Sequence, residues 1–369
     1  MSRASRTLAL FGITALAGGT VLLAAGRHLG WRWHGPFGLS PATENLAALA
    51  PADSEMVVFA DVAALRSSPL IEQLKSMLPS PQPDADYAAF VRASGFDYQR
   101  DLDKVLVASH QVDGKAETVA IAEGRFDRPK IRSYALANGK LERQDGYEVY
   151  LLPSSVPGAQ GKTIAMAFLS DTRIAISDSE NLDAILVAHK PPAADPPAAQ
   201  AGGAAPAASD ISLAERVSRE GDVPIYVISR VPDEPANWAP GGVHSDQLND
   251  LARSVRWIDV TIAPMPDRLH VTLEGECIDQ AKATSLENTL TGMRFLAEAY
   301  LGTPGAQKQL DPQSRTLLGQ LLDSAVVTNH DQWVALSVDL TQDLLKNGLQ
   351  HTPHAGSPAA PPTPAAAQK

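Results

Sequence analysis

Between Leu269 and Cys277 every second residue is polar: His270, Thr272, Glu274 and Glu276 alternate with Val271, Leu273 and Gly275. A β-strand turns successive side chains to opposite faces, so this spacing lines the polar set along one face. A hairpin closing around Pro264 to Asp267 sets Asp259 and Thr261, on the preceding strand, across from the same row. An imidazole and carboxylates on one sheet face are the ligands a divalent cation takes and the partners acid–base chemistry uses. On that chemistry Asp259, His270 and Glu274 form the candidate metal site. The plainer expectation, and the preferred one, is the solvated face of a half-buried antiparallel sheet, which requires the same alternation.

Other chemical candidates carry less. Gly161-Lys162-Thr163 follows an apparent strand, but a phosphate loop needs glycine at position 156, where Val156 stands, and a helix after the lysine, where Ile164 to Leu169 reads as a strand. There is no G-x-S-x-G, H-E-x-x-H or G-x-G-x-x-G, so hydrolase, zincin and dinucleotide readings lose their usual entry points, and no cofactor is expected. His351 and His354 flank Thr352-Pro353 in a Pro/Ala-rich tail that offers no second shell to orient them. Cys277, the single cysteine, reads as a small buried apolar residue. His110 and Glu117 fall opposite one another across Asp113-Gly114 and read as a surface cross-strand pair.

The elements that must position these residues follow from period and punctuation. In the first half, strands are predicted at Met56 to Val62, Val105 to Val112, Lys115 to Glu123, Tyr147 to Leu152, Thr163 to Leu169 and Arg173 to Ser177. Ser68-Pro69 opens a helix with Leu70, Ile71, Leu74, Met77 and Leu78 on one face; Asp127 caps a second ending near Gly139; a third spans Glu180 to Ala188. Asp113-Gly114 suits a type I′ turn. In the second half, strands at Val223 to Val231, Ile258 to Ala263 and Leu269 to Gly275 precede a long helix from Gln280 to Leu301 and a hairpin of Ala325 to Thr328 with Gln332 to Asp339. Glu123-Gly124-Arg125-Phe126-Asp127 and Glu274-Gly275-Glu276-Cys277-Ile278-Asp279 precede helices in the two halves. Either both converge on helix-start chemistry or the halves are related copies. The fold class expected is α+β, with mostly antiparallel sheets carrying helices on one face.

The chain has 369 residues, 44% hydrophobic and 20% charged, ample for a folded core. Its formal charge of −11 speaks against nucleic acid as a partner. One cysteine cannot form an internal disulfide. Residues 7–26 are uncharged and mostly apolar, flanked by Arg3 and Arg6 before and Arg27, Trp31, Arg32 and Trp33 after. Twenty helical residues span about 30 Å, the thickness of a bilayer core, longer than the usual secretory segment. The expectation is a transmembrane signal-anchor in the lipid bilayer, with residues 1–6 cytoplasmic and the bulk of the chain periplasmic at a bacterial inner membrane. The alternative is cleavage after Ala17, in the run Ala15-Leu16-Ala17, releasing a soluble exported protein. Residues 27–42 are juxtamembrane, 43–190 and 211–349 are the two α+β halves, and the Pro/Ala-rich stretches 191–210 and 350–369 are a linker and a tail.

Leu49-Ala50-Pro51-Ala52-Asp53, the strand from Met56 to Ala60, and Asp61 through Pro69 resemble the ectodomain start of bacterial membrane-anchored or exported proteins of unknown function. That resemblance implies a bacterial envelope setting and transfers no catalytic residue. Together these features favour a non-catalytic module that binds an envelope protein or another envelope component. The rival is an envelope enzyme, metal-assisted, built on Asp259, His270 and Glu274.

Overall fold

The computed structural model describes residues 46–77, 85–153, 162–189, 213–220, 223–231 and 253–350. In chain order the elements are β1 (Met56–Asp61), α1 (Val62–Ser67), α2 (Pro69–Met77), α3 (Ala85–Ser94), α4 (Tyr98–Asp101), β2 (Leu102–Val112), β3 (Lys115–Gly124), α5 (Arg128–Asn138), β4 (Lys140–Gln144), β5 (Tyr147–Pro153), β6 (Thr163–Phe168), β7 (Arg173–Ser177) and α6 (Asp183–His189). They continue with α7 (Leu213–Glu220), β8 (Ile225–Arg230), β9 (Val255–Pro264), β10 (Arg268–Cys277), α8 (Gln280–Leu301), α9 (Pro304–Gln309), α10 (Pro312–Ser324), β11 (Val326–His330), β12 (Trp333–Thr341) and α11 (Gln342–Gln350). The fold is α+β, as the sequence predicts.

All twelve described strands join one sheet in the order β11-β12-β10-β9-β8-β1-β2-β3-β7-β6-β5-β4, with antiparallel pairing throughout. The two halves meet at β1 and β8, where Phe59 lies opposite Tyr226 and their rings stack with centroids 5.0 Å apart. Outward from this seam each half repeats a plan. A hairpin (β2–β3, β9–β10) leads to a helix N-capped by aspartate (Asp127, Asp279). A later strand (β7, β12) then returns to pair beside the hairpin's second strand.

Helices cover both faces, which corrects the expectation of one covered face. On one face Phe59, Leu106, Ile121, Ala165 and Tyr226 pack under Leu46 and Leu49, Leu182 and Ile185 of the α6 region, and Val217 of α7. On the other, Phe90 of α3 and Ile131 and Ala135 of α5 cover Ala122, Tyr150, Leu152 and Met166. Further along that second face, Ala283, Leu286 and Leu290 of α8 pack on Cys277 and Val334, and Leu321 of α10 packs on Leu273 and Val338. The cause is visible in strands such as β6, Thr-Ile-Ala-Met-Ala-Phe, whose residues after Thr163 are all buried. A strand apolar on both sides needs a cover on both sides.

Asp113 and Gly114 both take positive φ, 51° and 74°, as the type I′ turn predicted for them requires. Residues 7–26 and the linker 191–210 lie outside the described residues. Among the described residues no helix is long and apolar enough to cross a membrane.

Candidate functional site

Asp259 and Thr261 pair with Ile228 and Tyr226 across β8–β9, which places them on the face shared with Phe59. On the next strands His270, Thr272, Glu274 and Glu276 stand opposite Asp339, Ser337, Ala335 and Trp333. The alternation read from the sequence is therefore present, but the expected solvation is not. Asp259 is 2% exposed, Glu274 4%, and Thr272 and Glu276 0%.

Part of the cover is α7, whose Leu213, Arg216, Val217 and Glu220 recur at i, i+3, i+4 and i+7, the spacing of one helix face. Arg216 and Glu276 are both fully buried and form a salt bridge. Gln332 Nε2 donates to the other oxygen of Glu276 at 2.8 Å. The Arg216 guanidinium lies 4.4 Å from the ring centre of Trp257 and 5.7 Å from that of Trp333, and Arg219 stacks on the outer side of this region, 3.9 Å from Trp333. Aromatic faces attract a guanidinium and help hold it out of water. Close to this cluster the Tyr226 hydroxyl is pushed well above its ordinary range, by burial first and then by the charge of Glu220. The result is a buried polar layer in which one arginine clamps Glu276.

His270 does not join Asp259 and Glu274 in a ligand set. Its Nδ1 lies 2.8 Å from Oδ1 of Asp339, and Arg268 Nε approaches the other oxygen of Asp339 at 3.3 Å. Among the described residues no group of three or more His, Cys, Asp or Glu side chains is placed to hold a metal ion.

The remaining sequence candidates resolve simply. His110 and Glu117 are register partners, but His110 is buried rather than a surface residue and sits 3.6 Å from Asp53. Lys162 leads directly into β6, so no helix N-terminus follows it. Burial, with Asp279 and Glu276 nearby, pushes the Cys277 thiol up to about 11, which keeps it protonated and unreactive. His351 and His354 lie outside the described residues.

Of the 22 residues of α8 only Ala283 is buried, and only Lys282, Glu287, Arg294 and Glu298 are charged. Met293, Phe295, Leu296 and Tyr300 are exposed, with Phe295 at 68% and Leu296 at 67%. Ile278, Leu318 and Val326, on neighbouring segments, are exposed as well. Asn329 of β11 donates to Thr284 Oγ1, and Arg294 donates to the carbonyl of Ala325, so α8 runs alongside the outermost strand of the sheet. The strand itself, Val-Val-Thr-Asn-His, has no acidic, lysine or arginine side chain. The opposite edge, β4, carries Lys140, Glu142 and Arg143. Of the two edge strands, β11 is thus the one without acidic, lysine or arginine side chains. The periodicity of α8 was legible from its letters; the exposure of its outer residues depends on which partners the fold provides.

No family model matches the sequence, and no curated protein matches it. Solved structures of a protein titled TP0453 superpose on the chain. Crystal form III gives a TM-score of 0.42 at 8% identity, over 83% of this chain and 98% of that one. Crystal form IV gives 0.42 at 10% identity, over 82% and 95%. At this level of likeness nothing about this chain's function follows from them.

Proposed function

We propose that this protein is a non-catalytic binding module, tethered to a bacterial inner membrane by residues 7–26 with its bulk periplasmic, and that it docks a protein partner on the α8–β11 end. The observation that supports docking is the exposure of Met293, Leu296 and Tyr300 at i, i+3 and i+7 on one stripe of a long helix, with Phe295 exposed on its flank. Contiguous apolar exposure of this kind marks interaction sites more often than it occurs by chance on a monomer. A turnover role receives no such support, since Asp259, Thr272, Glu274 and Glu276 are all buried. The repeated plan of hairpin, capped helix and returning strand supports a further reading, that the two halves are copies of one unit.

The test is a photo-crosslinking residue at position 295 of the full chain in membranes, with position 142 on β4 as control. The expected result is a discrete adduct at 295, lost when Leu296→Asp is added and kept with Glu274→Gln. Absence of an adduct at 295, or an activity abolished by Glu274→Gln, overturns the reading. For the tether, protease added to spheroplasts should digest the bulk of the chain; full protection would place it on the other side.

A further inference from the structure

We propose that the first half of the protein holds a binding site for a hydrocarbon chain, the acyl tail of a fatty acid or a lipid, in the cavity between the sheet and helices α3 and α5. The inference is independent of docking at α8, which belongs to the second half.

Strand register builds the floor of the site. Ala122 of β3 lies opposite Ile174 of β7, Ile176 of β7 lies opposite Met166 of β6, and Leu152 follows on β5. All five line the cavity on the sheet face that α3 and α5 cover. Four adjacent strands spaced about 4.8 Å apart carry this floor across ~14 Å. Phe90 of α3, Phe96 beyond it, and Ile131 and Ala135 of α5 form the roof. Ala122 in the floor and Ala135 in the roof are the smallest lining side chains, and a larger residue at either position would fill part of the space. The cavity measures about 440 Å³ counting its part open to solvent, within the range of small-molecule sites.

The wall selects the chemistry of the occupant. No polar atom lines it, and Tyr134 contributes ring carbons only. Water needs polar partners to settle in a cavity, so this one stays dry. A carboxylate, phosphate or sugar inside would surrender its hydration and receive nothing in return. An apolar occupant instead restores contacts that the lining atoms lack. The length of the floor selects the shape. A compact apolar molecule covers part of it, whereas an unbranched chain follows it from strand to strand, with its polar end left at the mouth in water. Met166, in the middle of the floor, is flexible enough to adjust to such a chain.

The enclosed part has space for only about one or two water molecules, so an acyl chain enters by lifting α3. That helix rests chiefly on α5, where the rings of Phe90 and Tyr134 meet edge to face with centroids 5.5 Å apart.

The test uses the full-length protein in phosphatidylglycerol nanodiscs and dodecanoate carrying a terminal diazirine, with adducts located by mass spectrometry. The free acid should label the peptides containing Met166 and Ile176, and excess unlabelled dodecanoate should displace that labelling. Dodecanoate should also raise the unfolding temperature, because it binds the folded state. Ala135→Leu and Ile176→Phe, which fill the cavity from the roof and the floor, should each lower the displaceable labelling at least about tenfold without lowering the unfolding temperature. A second arm places the same diazirine chain in the phosphatidylglycerol of the nanodisc. Labelling of these peptides from that arm alone makes the occupant the tail of a bilayer lipid; labelling from the free acid makes it a fatty acid. Absence of displaceable labelling in both arms overturns the inference whatever the variants do, and so does labelling that survives unchanged in a folded Ala135→Leu or Ile176→Phe protein.

Discussion

Arg216 is the buried charge that α7 brings to the polar layer. Its charge is fully buried against Glu276, and its Nε and Nη1 find no hydrogen-bond acceptor among the described residues, so Trp257 and Trp333 supply much of its environment. Removing one member of a buried pair strands the other charge, and Arg216→Ala should destabilise by about 3–5 kcal/mol in denaturant unfolding. Combining Arg216→Met with Glu276→Gln should recover most of that loss, because no charge is then left unpaired. A double variant as unstable as the single one would show that the arginine acts through packing alone. Cys277 gives a prediction in pH. Its folded pKa is raised, so its contribution to stability is intact below the unfolded thiol value, about 8.5, and declines as pH rises toward about 11. The thermal unfolding temperature should fall over that window, and Cys277→Ala should lessen the decline.

At the scale of elements, letter similarity and structural role part company. Gly124 ends β3 where the chain passes Asp101 so closely that an added Cβ would lie 2.3 Å from the Asp101 carbonyl oxygen. Gly275, its counterpart in the Glu-Gly junction before α8, would place a Cβ 3.4 Å from Val255, a tolerable contact. Gly124→Ala should cost at least about 2 kcal/mol and Gly275→Ala under about 1 kcal/mol, measured by urea unfolding. Most strands and the ends of α5 and α8 were legible, because apolar period and aspartate caps mark them directly. β4 was not, because Lys-Leu-Glu-Arg-Gln at a sheet edge buries almost nothing and leaves no alternation to read. Nor was α7, and its absence explains the misjudged site. Two of the positions it turns inward are Arg216 and Glu220, which a hydrophobic pattern assigns to water. A row of polar residues looks solvated until its cover is known, and here part of the cover is itself charged.

For the molecule as a whole, the number of strands matters less than where the halves join. β1 and β8 are flanked on both sides by pairing strands, and Val57, Phe59, Tyr226 and Ile228 are buried along the join. A polypeptide ending at residue 210 retains every described element of the first half and loses the neighbour of β1. Such a fragment should sediment as aggregates where the full chain does not, because Met-Val-Val-Phe-Ala presents a bare, uncharged flank. A soluble, monomeric fragment would show that the first half stands alone.

The seam also sets an order in time. Phe59 emerges from the ribosome long before Tyr226, so β1 must wait, unsatisfied on one side, while the intervening chain is synthesised. Pairing between distant segments is slow to form. A newborn chain of this design therefore has a built-in interval of vulnerability, during which a chaperone able to shield a nascent strand would decide how much of it survives.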